Sequence, residues 1–309
     1  MGTTGEWRGR RVLITGATGF IGRYLVERAL RSGGVVTTLS RSRAMIPGAS
    51  THIAVDIGSR SEVWKAVQEL EPAAILHAAS LGVTEKAELS EMLRSNVAGT
   101  DNLLSAAASL SNPPSVVMAG SGYEYRAQSR PLTEDDPVFP ASPYGISKAA
   151  ATYCAANYAT GMPLTVLRVF NVYGPGERLP RLLPYIVQNA RLGNPVEVTA
   201  CEQVRDFIYV RDLASIFWRA LECAPENGQL RTLNVGSGSP APLKEFVCTI
   251  VRVLQERGMY VQVKFGARPY RAGEPMYYAA DTSRMASALG RPPVTPLEVG
   301  VRETVESLL

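Results

Sequence analysis

The chain has 309 residues, 46% of them hydrophobic and 19% charged, with a net charge of +4. That length can bury a large core, as one two-lobed unit or as two domains, and the balance is that of an ordinary globular protein. The small positive excess suits anionic small molecules, and no basic block is long enough to argue for nucleic acid.

Cys154, Cys201, Cys223 and Cys248 stand far apart with no CxxC pair, and His52 and His77 are the two histidines. No metal site is therefore expected, and the cysteines read as reduced, small apolar residues of a cytoplasmic protein. The opening "MGTTGEWRGRR" has no apolar segment of a signal peptide, and Glu6 breaks the myristoylation pattern. No run approaches the ~20 apolar residues of a membrane span.

"RVLIT" at 11–15 predicts a strand and "GFIGRYLVERALRS" at 19–32 an amphipathic helix. Strands follow at 35–40 and 52–57, then a helix at 61–70 capped by Ser59 or Ser61, and a strand at 73–80. A long helix near 86–110, a strand at 115–121, a helix near 144–160 and a strand at 164–170 complete the alternation. Such alternation predicts an α/β Rossmann fold, a doubly wound parallel sheet covered by helices on both faces. Past residue 171 prolines accumulate; a strand and helix return at about 206–222 and a strand at 231–236. The stretch 242–309 mixes helices with a strand near 260–265. The expected division is a dinucleotide-binding domain over 1–175 and 204–240, and a smaller, discontinuous α+β substrate-binding lobe over 176–203 and 241–309.

Gly16-Ala17-Thr18-Gly19-Phe20-Ile21-Gly22 has GxxGxxG spacing between the first strand and first helix. Glycines there permit a tight turn, close approach of a pyrophosphate and close helix–strand packing, while the helix start supplies N–H groups. Gly16, Thr18, Gly19, Phe20, Ile21 and Gly22 are the candidate contacts. An NAD site ends its second strand in an acidic residue that holds the ribose 2′-OH. Here Ser40 takes that place, followed by Arg41 and Arg43. A hydroxyl and two guanidiniums suit a 2′-phosphate, so NADP is the expected cofactor. The plain alternative is a solvated basic loop.

"SPYGISKAA" puts Tyr144 and Lys148 four residues apart at a helix start, on one face. A nearby cation stabilises a phenolate and brings a tyrosine toward neutral-pH proton transfer.

GATGFIG, the YxxxK pair, "RVFNVYGPG", "RDFIYVRD" and "RAGEPMYYAADTSRMASALG" resemble the extended short-chain dehydrogenase/reductase family over nearly the whole chain. These are nucleotide-sugar epimerases, dehydratases and ketoreductases. The resemblance implies that Ser121, four before Tyr125 in "GSGYEYR", completes a catalytic set with Tyr144 and Lys148; Arg126 stands where the family has glycine. Ser121 would hydrogen-bond the substrate oxygen, Tyr144 would transfer the proton, and Lys148 would orient the cofactor ribose. It implies further cofactor contacts at Asp56 and Ile57 (adenine), Ala78 and Ala79 (pyrophosphate and ribose), and Val169 and Phe170 (nicotinamide). Ser80, Tyr123, Asn171, Arg205 and Arg271 are implied at the substrate, the last three toward its diphosphate. Asn96 is expected to buttress the site, which a buried structural asparagine explains almost as well.

Family dehydratases place an acidic residue directly after the Ser/Thr, whereas Gly122 and Tyr123 stand here and Glu124 comes late. Epimerases retain NAD and usually keep the acidic residue that Ser40 replaces. The expectation is thus a 4-ketoreductase of a nucleotide-linked 4-keto-6-deoxy sugar using NADPH. The alternatives are an NAD-dependent nucleotide-sugar epimerase, a reductase of a non-nucleotide carbonyl compound, and a non-catalytic NADP-binding regulator. The loops near 80–86, 122–126 and 178–203 are expected to select the sugar and base. The resemblance also implies a homodimer in which the helices near 86–110 and 147–159 form a four-helix bundle.

Overall fold

The computed structural model describes residues 7–43, 45–82, 87–226, 228–292 and 294–309. In chain order it opens with β1 (Arg11–Thr15), α1 (Phe20–Arg31), β2 (Val35–Ser40), β3 (Thr51–Ala54), α2 (Arg60–Leu70) and β4 (Ala74–His77). There follow α3 (Leu89–Met92), a π-helical turn (Leu93–Ala98), α4 (Gly99–Ala108), β5 (Ser115–Ser121), α5 (Pro143–Ala156) and β6 (Leu164–Val169). The remainder adds α6 (Leu182–Leu192), α7 (Val210–Glu222), β7 (Leu230–Val235), α8 (Leu243–Glu256), α9 (Ser283–Leu289) and α10 (Leu297–Glu306).

The seven strands form one parallel sheet in the order β7-β6-β5-β4-β1-β2-β3. This is the expected doubly wound α/β arrangement. Strand order reverses between β1 and β4, which opens a crevice at their carboxyl ends where such sheets bind ligands. Side-chain alternation explains the double burial: Val12 and Ile14 enter one apolar cluster and Leu13 the other. The first cluster takes Leu25 of α1 with Phe217 and Trp218 of α7, and the second takes Val67 of α2, Leu103 and Leu104 of α4, and Ala155 of α5. Trp218 is fully buried, and truncating it to alanine would cost about 3–5 kcal/mol through the cavity left behind.

A third apolar cluster gathers Ile186 of α6, Phe246 and Ile250 of α8, and Val301 of α10. Phe207 stacks on Phe246 at 4.0 Å. The short strand Val204–Arg205 pairs with both Ala241–Pro242 and Tyr277–Tyr278, so the C-terminal segment is stitched to the strand that carries Arg205.

Several boundaries differ from the sequence expectation. Strand β3 stops at Ala54 rather than 57, because Asp56 Oδ1 accepts from Gly58 N–H at 2.9 Å and turns the chain into α2. Strand β4 stops at His77 rather than 80, although Ala78 N–H still reaches Thr15 O at 3.2 Å. The long helix near 86–110 is helical from Leu89 to Ala108 with a π turn inside it, and residue 86 lies outside the described residues. The strand near 260–265 contracts to Val263–Lys264. Among the described residues no helix is long and apolar enough to cross a membrane.

Candidate active site

The glycine turn sits at the β1–β4 crevice. Gly16 has φ +70°, and a Cβ on it would lie 2.6 Å from Ala79 N, so neither the dihedral nor the space admits a side chain. A Cβ on Gly22 would strike the Gly16 carbonyl, which is why α1 can press against the turn. Gly19 caps α1 and no side chain caps it in turn, so the first-turn N–H groups suit an anion.

A groove of about 310 Å³ runs from this turn. Gly16, Thr18, Gly19, Ser40, Arg41, Asp56, Ile57, Ala78, Ala79 and Ser80 line it. Its glycine turn and polar lining suit the phosphate and adenosine end of a dinucleotide. The side chains of Phe20 and Ile21 pack against the first apolar cluster while their N–H groups belong to the first turn of α1, and Arg43 is exposed outside the lining. Ser80, expected at the substrate, is on the cofactor side. Gly58 N–H first, and then Arg94 at 2.9 Å, hold the Asp56 carboxyl below the usual range.

A buried chain of polar side chains secures this edge, together with Asn96. Thr15 Oγ1 lies 2.6 Å from His77 Nδ1, and His77 Nε2 lies 3.0 Å from Thr100 Oγ1. Burial lowers the His77 ring to about 3, so it is a neutral tie between β1, β4 and α4. Its signal was a lone histidine in an apolar strand. Asn96, in the π turn, accepts from Leu81 N–H at 2.7 Å and donates to Ser147 Oγ at 2.9 Å. It thereby ties the segment after β4 to α5.

Ser121 ends β5, and its Oγ accepts from Tyr123 N–H at 3.2 Å. Tyr144 opens α5 behind Pro143, with Ser142 Oγ capping Gly145 N–H at 3.1 Å. The Tyr144 phenol faces the Ser121 hydroxyl. Burial pushes that phenol up to about 12, and Ser121 works against the rise. One helical turn on, the Lys148 amine donates to the Ala119 carbonyl, and burial lowers it to about 8. Ser121, Tyr144 and Lys148 thus converge on the carboxyl end of β5, next to the groove.

Glu124 does not face this set as a free acid. It is fully buried, with Oε2 2.8 Å from Arg168 Nε and Oε1 accepting from Ser121 N–H at 2.8 Å. Aromatic rings wall the other side. Tyr123 lies 6.0 Å from Tyr144 and 5.2 Å from Tyr278, whose ring is 5.0 Å from Phe170. Val169 and Phe170 are buried at the end of β6. Tyr278, from the C-terminal segment, was not foreseen.

Two of the expected diphosphate residues are engaged within the protein. Asn171 donates to Asp206 O at 3.3 Å. Arg205 donates to Pro275 O at 2.8 Å and to Glu274 Oε1 at 2.6 Å. Arg271 is exposed on a second cavity of about 580 Å³, which Tyr185, Gln203, Arg268 and Glu274 also line. Glu274 is the link between the two arginines.

Residues 12–236 match the family model "NAD dependent epimerase/dehydratase family". The dTDP-glucose 4,6-dehydratase of Neisseria meningitidis serogroup B (strain ATCC BAA-335 / MC58) is 28% identical over 96% of this chain and 92% of its own. UDP-glucuronate 4-epimerase 3 of Arabidopsis thaliana is 29% identical over 96% of this chain and 76% of its own. The solved structure of MoeE5 in complex with UDP-glucuronic acid and NAD is 29% identical and superposes with a TM-score of 0.82, covering 96% of this chain and 98% of that one. With the match running from the first strand to the end of the seventh, this chain belongs to the NAD dependent epimerase/dehydratase family of extended short-chain dehydrogenases/reductases.

Proposed function

We propose that the protein is a nucleotide-sugar 4-epimerase. The convergence of Ser121, Tyr144 and Lys148 beside the glycine groove carries this reading. A bound nicotinamide dinucleotide supplies the hydride acceptor and donor. Ser121 holds the sugar O4, Tyr144 takes and returns its proton, and Lys148 orients the cofactor ribose from the same helix face. Gly16, Thr18, Gly19, Ala78 and Ala79 receive the pyrophosphate, while Asp56 and Ile57 border the adenine end. Arg205, at the edge of the dinucleotide-binding domain, and Arg271, in a lobe formed by 176–203 and 241–309, serve the substrate diphosphate.

Relatives that are epimerases, and a neighbour that holds NAD, favour this over the ketoreductase first drawn from Ser40 and Arg41. The engagement of both Glu124 oxygens speaks against a dehydratase, because no acid stands ready to expel water. One observation keeps NADPH-dependent 4-ketoreduction as a second reading: Ser40 and Arg41 both line the groove, where an NAD site wants a carboxylate.

The deciding experiment incubates the protein with UDP-glucose, UDP-glucuronic acid and nucleotide-linked 4-keto sugars. Interconversion of C4 epimers without net nicotinamide oxidation supports the epimerase. One NADPH consumed per 4-keto sugar, with no epimer formed, would establish the reductase instead. Tyr144→Phe should retain dinucleotide binding and lose about 10²–10⁴-fold in turnover, the usual worth of a positioned proton donor.

A further inference from the structure

Beneath Ser121 lies a buried carboxyl group that the proposed chemistry leaves unassigned; burial raises its pKa, and Arg168 works against the rise. Glu124 is fully buried three residues after the serine and closes a capping box on it: Ser121 N–H donates to Glu124 Oε1, and Tyr123 N–H donates to Ser121 Oγ. A Cβ on residue 120 would stand 2.7 Å from Val166 Cγ1 and 2.8 Å from Glu124 Oε1, so glycine there leaves room for the carboxylate. Arg168 on β6 clamps the other oxygen and donates to Tyr125 OH at 2.5 Å. Tyr125 OH donates to Asn234 Oδ1 at 2.8 Å, and Asn234 donates to Leu132 O at 2.8 Å. Strands β5, β6 and β7 are thereby locked around one carboxylate. A buried ion pair of this kind is a weak source of stability, because desolvation offsets the attraction. Its geometry relative to the reacting groups explains it better.

We propose that Glu124, clamped by Arg168, is a positioning residue that fixes the Ser121 hydroxyl against Tyr144 and sets one negative charge under the Tyr144–Lys148 pair. The inference rests on those three residues being the reacting set. The groups facing Glu124 are Arg168 from β6, Tyr144 and Lys148 from α5, Tyr125 on its own segment and Tyr278 from the C-terminal segment. The Glu124 charge raises both Tyr144 and Lys148, so removing it lowers both. It keeps Lys148 cationic against the burial that drives its proton off.

The test uses Glu124→Gln, which keeps shape and an acceptor for Ser121 N–H. With lysine labelled at Cε with ¹³C, and Lys148 assigned by its loss in Lys148→Met, its titration is followed by NMR without substrate. The Lys148 midpoint should fall by about 0.5–1 pH unit, and the pH limb of turnover should move with it. Should Glu124→Gln fail to fold with Arg168 unpaired, the uncharged pair Glu124→Gln/Arg168→Met is measured by the same criterion. A folded variant with an unmoved midpoint and an unmoved pH limb overturns the proposal. If the wild type turns over no nucleotide sugar, the epimerase reading fails alone, because the Lys148 midpoint still decides the role of Glu124.

Discussion

Arg205 and Glu274 form a partly buried ion pair, Nη2 to Oε1 at 2.6 Å, between residues 69 positions apart. The pair fixes the strand bearing Arg205 to the C-terminal segment, whose Arg271 and Glu274 line the 580 Å³ cavity. Glu274→Ala should release Arg205 and weaken nucleotide-sugar binding by about tenfold, the worth of one charge-assisted contact. Dinucleotide affinity should stay unchanged. Calorimetry with each ligand checks this; equal losses for both would mean general unfolding rather than a disordered diphosphate site.

Cofactor choice turns on the end of β2. Arg41 lines the groove beside Ser40, so Arg41→Ala should cost NADP(H) affinity about 1.5–3 kcal/mol and leave NAD(H) nearly untouched. Fluorescence titration with NADH and NADPH measures both. A wild type that binds the two equally would make Arg41 a solvated loop residue.

His77 makes folding stability pH-dependent. Its ring is neutral in the folded protein, with a pKa lowered to about 3 by burial and by Lys148. An unfolded chain protonates it near about 6.5. The folded value lies below the unfolded one, so the contribution is complete above about pH 6.5 and is lost as pH falls toward about 3, at up to about 1.4 kcal/mol per pH unit. The Tm of the wild type should therefore decline more steeply from about pH 6 to about pH 4 than that of His77→Gln. Parallel declines would show that other groups govern acid unfolding.

Helix α5 leaves Ile146 and Tyr153 exposed seven residues apart, hence on one face, and Leu89 and Leu93 are exposed on the neighbouring helical segment. An isologous pairing of these helices would cover all four. Light scattering at micromolar concentration should give twice the chain mass, and Tyr153→Arg should shift it to the monomer. A monomeric wild type would rule the pairing out.

The sheet was legible because its signals are local. Short, β-branched apolar runs such as those within Arg11–Thr15 and Ser115–Ser121 mark doubly buried strands by themselves, and Gly16 meets its turn within a few residues. Local spacing also marked Tyr144 and Lys148, since one helical turn puts them on one face whatever surrounds them. Nothing local indicates the direction in which Glu124 points. Spacing from Ser121 left it as a late, unemployed acid, and only Arg168, 44 residues on, draws it under β5. Arg205 likewise looks free in sequence until Glu274 arrives from the C-terminal segment, and Tyr278 joins Tyr123 across 155 residues. Charges and ring faces are satisfied by whatever the fold brings within a few ångströms. Periodicity determined the scaffold, and long-range packing decided which groups remain available for chemistry.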